Sequence, residues 1–276
     1  ELKICFVLFL VNLLSQGYIL ILTGTFWDDW LYYYHDINRL WRHFIQSGRP
    51  SLVYIPTAFW NLPNNGYRWV VFLCYMITSV IIYLLLRKIT FFQKGLSRGE
   101  CLAISCLYTV IPVNDARICM VDLPFTVSLP LFLLGFYFLV ICKNQKEGNT
   151  LRFKVLSLIL FGGSFITNSM LVFYLLPLIY IFACEWRSFG NFPEVIQRMF
   201  KNIDFILLPF IFWCGKQYLF PAYGIYSGYN EVSIAKLVNA IKLMPKTVYN
   251  SIKSTFLEFF SPFFYISNVN VLFILV

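Results

Sequence analysis

The chain has 276 residues, of which 59% are hydrophobic and only 13% are charged, and its mean hydropathy is +0.69. A soluble domain carries about 45–50% apolar and about 25% charged residues, so one soluble core could not bury this much apolar surface. The net charge of +9 does not indicate nucleic-acid binding, because no basic patch with interleaved aromatic residues lies outside the apolar segments. The composition predicts an integral membrane protein.

Apolar segments suited to membrane helices recur along the chain. A helix needs about 20 mainly apolar residues to cross the hydrocarbon layer. One stretch, 155–184, is too long for a single helix, and Thr167-Asn168-Ser169 interrupts it, so we divide it near Asn168. The predicted spans are 4–23, 69–86, 101–113, 121–142, the two halves of 155–184, 203–220, and an eighth that begins at 263. We therefore expect an all-α membrane protein with about seven to eight transmembrane helices.

Basic residues predict the orientation of these spans. The loops after the second, fourth and sixth spans are rich in Lys and Arg, and such loops lie on the cytoplasmic side. The N-terminus is then cytoplasmic, and the first loop is outside. Residues 221–262 also carry lysines, but long loops translocate largely regardless of their charge.

We expect residues 1–276 to form a single transmembrane domain. Its parts are 1–86 with the first two spans and first outer loop, 87–202 with the next four spans, and 203–276 with the remainder. The sequence starts at Glu1 and stops within an apolar run, which predicts the N-terminal part of a longer chain. The cysteines lie mostly in apolar runs and form no CxxC pair, so we expect small buried thiols.

Two adjacent carboxylates follow the first span, in the sequence Trp27-Asp28-Asp29-Trp30. Tryptophan suits the membrane interface. An acidic pair at that position can act as a general base or bind a divalent cation such as Mg²⁺ or Mn²⁺. Either Asp could instead cap the following helix. For the pair between two tryptophans we favour the functional interpretation.

An amphipathic helix is predicted over residues 30–44, lying in the membrane interface rather than spanning it. Its apolar residues recur at helical spacing, and its polar face holds Tyr32, His35, Asp36, Arg39, Arg42 and His43. Gly48-Arg49-Pro50 ends this segment. Arg49 could contact a phosphate group, or it could be solvated or face lipid headgroups.

The order of these features resembles the GT-C superfamily of multi-spanning glycosyltransferases. The resemblance covers residues 4–86: a first helix that starts in the cytoplasm, Trp27-Asp28-Asp29-Trp30 at its outer end, an interfacial helix, Gly48-Arg49-Pro50 and a second span. The chain looks most like the bacterial branch that adds glucosyl side branches to O-antigen.

This resemblance implies transfer of a hexose such as glucose from a polyprenyl-phosphate donor to a cell-surface glycan or lipid-linked acceptor. The reaction would take place on the outer face of the bacterial inner membrane, among membrane lipids. In that family an acidic residue of the first outer loop is the catalytic base or helps hold a metal, and Asp28 and Asp29 match it. The charge that develops on the leaving phosphate needs a cation nearby.

Further polar residues on the outer side are candidates for substrate binding. Asp115 and Arg117, in Asn114-Asp115-Ala116-Arg117, could face the same cavity as Asp28 or could form an ordinary polar turn. The candidate substrate-binding residues are His35, Arg39, Arg49, Asp115 and Arg117. Asn168 could bind a sugar hydroxyl or satisfy free backbone groups at the helix break.

Three other functions compete with this interpretation. A surface-polysaccharide polymerase or ligase would share the outer site and the lipid-linked substrates. A transporter or flippase would place ionisable residues within the membrane and often shows paired repeats, whereas these spans are nearly free of charge. A non-enzymatic scaffold would leave the Asp pair unexplained.

Overall fold

A computed structural model describes residues 2–21, 29, 32, 36–60, 66–89, 95–111, 119–145, 150–228, 239, 242–254 and 257. All regular structure in these ranges is helical, which confirms the predicted all-α class. The helices are α1 Leu2–Gln16, α2 Ile37–Gln46, α3 Ser51–Trp60, α4 Tyr67–Lys88, α5 Arg98–Val110, α6 Leu123–Asn144, α7 Thr150–Ser164, α8 Ser169–Phe173, α9 Leu175–Phe189, α10 Phe192–Phe200 and α11 Ile203–Leu219. Single 3₁₀ turns cover Gly17–Leu20, Met120–Asp122 and Gly224–Tyr226.

Within the described residues, 4 helical segments are long and apolar enough to cross a membrane. They are Leu2–Leu20, Tyr67–Lys88, Met120–Asn144 and Ser169–Arg187. Each agrees with a predicted span, and the last combines α8 and α9. The break predicted near Asn168 is confirmed, because α7 ends at Ser164 and α8 begins at Ser169.

Three other predicted spans correspond to shorter helices. Helices α5, α7 and α11 have 13, 15 and 17 residues. At 1.5 Å per residue, these lengths fall short of a hydrocarbon layer about 30 Å thick. The eighth predicted span, from residue 263, lies outside the described residues. The count of seven to eight spans therefore stays a prediction.

The chain divides into two compact units. The first comprises Glu1–Val110 and Arg117–Ser227, and the second comprises Ile111–Ala116 and Gly228–Val276. The described part of the second unit includes a helical stretch over residues 242–254, whose side chains are exposed. The first unit contains all the helices α1 to α11 and the candidate site described below.

The largest apolar cluster of the first unit joins α6, α7, α9 and α11. Phe161 on α7 packs edge-to-face against Phe132 of α6 and against Tyr174, which precedes α9. The two helices α6 and α7 come close at Gly135, whose carbonyl oxygen accepts a hydrogen bond from Ser157 Oγ at 2.8 Å. A small residue and a hydroxyl at the contact allow close approach of helices in an apolar environment.

A second cluster attaches the first predicted outer loop to the membrane-type helices. Tyr32 and Leu40 are buried against Tyr67 of α4 and against Met120 and Leu123 at the start of α6. The assignment of Tyr32 to the polar face was wrong. The residue is 2% exposed, and its hydroxyl donates to the Leu52 carbonyl oxygen at 2.7 Å. A phenol can be buried when its hydroxyl finds such a partner.

Candidate functional site

Only some of the predicted site residues fall within the described part of the chain. Asp29, Arg39 and Arg49 are described, and four others lie outside it: Asp28, His35, Asp115 and Arg117. Among the described residues, no group of three or more His, Cys, Asp or Glu side chains could hold a metal ion. Because Asp28 lies outside, Mg²⁺ or Mn²⁺ binding by the Asp pair stays a prediction.

Asp29 is fully buried, with 0% exposure, and contacts the start of α6. Its Oδ1 accepts a hydrogen bond from the Val121 backbone N–H at 3.0 Å, and the Met120 N–H also favours the carboxylate. The first N–H groups of a helix lack partners within it, so an anion there is stabilised. Asp29 therefore ties the first predicted outer loop to the start of α6.

Helix α2 is capped by Asp36, whose side chain accepts from the Asn38 N–H at 3.0 Å. Capping of a helix directly after Asp29 stays a prediction, because residues 30, 31 and 33–35 lie outside the described part of the chain. Asp122 occupies the N-cap position of α6 but makes no side-chain capping hydrogen bond.

Two side chains at the start of α4 complete the surroundings of Asp29. Burial raises the pKa of Asp29 above its ordinary value, while the Met120 and Val121 N–H groups, the Arg68 guanidinium and the Tyr67 hydroxyl oppose this rise. Arg68 is itself 1% exposed, and its Nε donates to the Tyr67 hydroxyl oxygen at 3.2 Å. Backbone donors and a neighbouring cation therefore hold the buried Asp29 carboxylate in a defined position.

Helix α2 separates its polar and apolar residues. Arg39, Arg42 and His43 are exposed, whereas Leu40 is buried and Phe44 stacks on Tyr32 with ring centroids 6.4 Å apart. Arg39 thus lies on the solvent-exposed side of α2, and it does not line the cavity to which Arg49 belongs.

The Gly48-Arg49-Pro50 segment forms a tight turn between α2 and α3. Gly48 has a φ of +69°, and a Cβ there would lie 2.7 Å from the Phe220 carbonyl oxygen. The Tyr223 N–H donates to the Gln46 carbonyl oxygen at 2.9 Å. These contacts hold the turn against the chain that leaves α11. Glycine is required because other residues disfavour this φ and have no space for a side chain.

Arg49 lines a cavity of about 450 Å³, a size typical of small-ligand sites. Its walls come from the α2–α3 turn, from Thr167, Asn168 and Ser169 at the α7–α8 break, and from α11 with Lys216. The Asn168 side chain makes no capping hydrogen bond to α8. The structure thus brings two of the predicted site segments together around one cavity.

Three residues of these arrangements are not among the site residues predicted from the sequence. Tyr67 and Arg68 immediately precede the predicted span 69–86, and their positions gave no signal of a buried pair beside Asp29. Lys216 lies inside the predicted span 203–220. A single cation within an apolar span is by default a candidate functional residue, so its sequence position carried a usable signal.

No known protein family, curated protein or solved structure matches this chain. The resemblance to the GT-C superfamily therefore rests on the motifs of residues 4–86 and enters the proposal below as an expectation.

Proposed function

We propose that the chain is a membrane glycosyltransferase that moves a hexose from a polyprenyl-phosphate donor to a cell-surface glycan or lipid-linked acceptor. The observation that carries the proposal is the attachment of Asp29 to the Val121 N–H at 3.0 Å. This contact holds the Asp29 carboxylate against the helical unit. A carboxylate held in place next to Asp28 in the sequence suits a catalytic site, which depends on groups in a defined geometry.

The two carboxylates have different roles in this proposal. Asp29 has 0% exposure and is engaged by backbone donors, so it is a positioning residue. Asp28 is then the base that removes the proton of the acceptor hydroxyl. The acceptor oxygen forms a bond to the anomeric carbon of the sugar as the bond from that carbon to the phosphate oxygen breaks. The lipid phosphate leaves with the electron pair of the broken bond.

The proposed topology has seven to eight spans, a cytoplasmic N-terminus, and α2 in the outer interface of a bacterial inner membrane. It is supported by the cavity, which is lined by Arg49 of the first predicted outer loop and by Thr167 to Ser169 of another predicted outer segment. The polar and apolar sides of α2 support its interfacial placement. A divalent metal on Asp28 would add positive charge, and no step here depends on it.

A second candidate is a lipid transporter or flippase without catalysis. The described residues that line the cavity include cations, hydroxyl groups and apolar side chains but no Asp or Glu. Such a cavity could bind a lipid-linked sugar without reacting with it. The transferase requires Asp28, whereas the transporter does not, so one substitution separates the two functions.

The test uses the protein in its own cell and compares surface glycans by mass spectrometry. We expect Asp28→Asn to remove one hexose from the glycan repeat, because an amide cannot accept the acceptor proton. The matched control is Asp36→Asn, which alters the exposed cap of α2. All variants must reach the membrane at equal levels. An unchanged glycan in Asp28→Asn would contradict the transferase and favour the transporter.

A further inference from the structure

The cavity described above contains a buried positive charge. Lys216 Nζ is buried and makes no hydrogen bond to the described residues, and it lies 5.4 Å from the centroid of the Trp213 ring. The positive charge of Arg49 acts on Lys216 from the same cavity. Two like charges in a poorly solvated site destabilise each other, so an anion between them would be strongly favoured.

Hydroxyl groups extend the polar part of the cavity. Thr167 Oγ1 and Ser169 Oγ are both buried and make no hydrogen bond within the described part of the chain. Both residues line the cavity at the α7–α8 break. Buried polar atoms normally have partners, so each unsatisfied hydroxyl is a group that a ligand can complete. Hydroxyl and ammonium donors together suit the oxygens of a phosphate group.

The remaining wall is apolar and continues onto an exposed surface. Leu52, Phe125 and Phe212 line the cavity, as do Ile166 and Ile211, which are 42% and 64% exposed. A free phosphate ion would gain nothing from these side chains. A hydrocarbon chain joined to the phosphate would bury itself against them at about 25 cal/mol per Å² of apolar surface.

We propose that this cavity binds a phosphate ester with a long hydrocarbon chain, with Lys216 and Arg49 holding the phosphate group. Thr167 and Ser169 complete the phosphate site, and the apolar wall holds the first part of the chain. The role of this lipid as the sugar donor rests on the proposed function. The binding itself does not require any transfer reaction.

The experiment measures binding to the purified full chain in detergent with three probes: farnesyl phosphate, farnesol and inorganic phosphate. We expect farnesyl phosphate to bind at least about tenfold more tightly than either of the others, since each of those lacks one half of the ligand. Lys216→Met should weaken farnesyl phosphate binding about tenfold or more, and Lys216→Arg should retain most of the affinity. The matched control is Lys201→Met, which removes an exposed lysine.

A second variant separates ligand binding from folding. Thr167→Val with Ser169→Ala removes both hydroxyl groups at nearly constant volume and should weaken farnesyl phosphate severalfold while leaving farnesol unchanged. Equal binding of farnesyl phosphate to the wild type and to Lys216→Met would overturn the proposal. If inorganic phosphate binds as tightly as farnesyl phosphate, the apolar wall does not hold a hydrocarbon chain. If farnesol binds as tightly as farnesyl phosphate, Lys216 and Arg49 do not hold a phosphate group.

The two proposals fail in different measurements. If Lys216→Met loses farnesyl phosphate binding while Asp28→Asn leaves the surface glycan unchanged, the lipid site stands and the transferase does not. If Asp28→Asn removes a hexose while Lys216→Met binds farnesyl phosphate normally, the transferase stands and this lipid site does not.

Discussion

The carboxylate of Asp29 accepts a hydrogen bond from the backbone N–H of Val121, 92 residues later in the chain, at 3.0 Å. The contact links the segment after α1 to the start of α6. Val121 lies in the 3₁₀ turn that precedes α6, and the first N–H groups of a helical segment have no acceptor within it, so the Asp29 side chain supplies one. Substitution of Asp29 therefore measures how much one buried carboxylate contributes to the stability of this fold.

We expect Asp29→Ala to lower the free energy of unfolding by about 1–3 kcal/mol, because it leaves the half-buried Val121 N–H without its acceptor. Asp29→Asn keeps an acceptor oxygen and should cost less. The thermal unfolding midpoint of the purified protein measures both effects. Asp36→Ala, which removes the exposed cap of α2, is the comparison and should cost about 1 kcal/mol. Equal midpoints for Asp29→Ala and the wild type would contradict the structural role of Asp29.

The stability of the wild type should depend on the protonation of Asp29. Burial raises the pKa of this carboxyl above its ordinary 3.8, so the folded state holds the proton more tightly than the unfolded state. Relative to Asp29→Asn, the wild type should be most stable in acid and should lose stability as the pH rises through the raised pKa. Each unit by which the folded state raises the pKa corresponds to about 1.4 kcal/mol in the free energy of unfolding. Denaturant titrations of both proteins across this pH range measure the difference.

Gly48 and Gly190 form a matched pair for testing the turn beside the cavity. Both have positive φ, +69° and +63°, but a Cβ would lie 2.7 Å from the Phe220 carbonyl oxygen at Gly48 and would meet nothing within 4 Å at Gly190. Gly190→Ala should lower the free energy of unfolding by about 1–2 kcal/mol, because alanine disfavours the left-handed backbone conformation. Gly48→Ala should cost more and should also weaken farnesyl phosphate binding. Equal unfolding midpoints for the two variants would contradict the close approach of the turn to Phe220.

Helix packing between α6 and α7 can be tested at their glycines. Gly→Ala inside a helix normally stabilises by about 0.5–1 kcal/mol, and we expect this for Gly162, where a Cβ would meet nothing within 4 Å. At Gly135 a Cβ would lie 3.2 Å from the Phe161 ring. Gly135→Ala should therefore leave the stability of the protein unchanged or lower it. Thermal unfolding of the two variants makes the comparison. A full gain at Gly135 would mean that the two helices pack less closely.

Two ion pairs differ in burial and should differ in strength. Lys143 Nζ lies 2.8 Å from Glu185 Oε1 and 3.0 Å from Asn202 Oδ1, and the Lys143 and Glu185 side chains are only 16% and 14% exposed. Lys154 and Asp204 are also 2.8 Å apart but are 28% and 31% exposed. We expect a coupling energy above 1 kcal/mol for the first pair and below about 1 kcal/mol for the second. Double-mutant cycles with neutral substitutions give both values, and the reverse order would contradict this prediction.

The all-α class and the position of most helices follow from the amino-acid sequence alone. Long apolar segments set the membrane-type helices because their signal is local, and Thr167-Asn168-Ser169 correctly predicted the break between α7 and α8. Lys216 could also have been found, because a cation is uncommon within an apolar span.

The pairs of segments that contact each other are visible in the folded chain and not in the hydropathy pattern. Tyr32 is buried because its hydroxyl reaches the Leu52 carbonyl oxygen, and Asp29 accepts a hydrogen bond from Val121 in the turn before α6. Arg49, Thr167 and Lys216 line one cavity although more than a hundred residues separate the first from the other two. A hydropathy pattern does not distinguish one apolar helix from another. The contacts between helices depend on side-chain packing and specific hydrogen bonds, which a single sequence does not display.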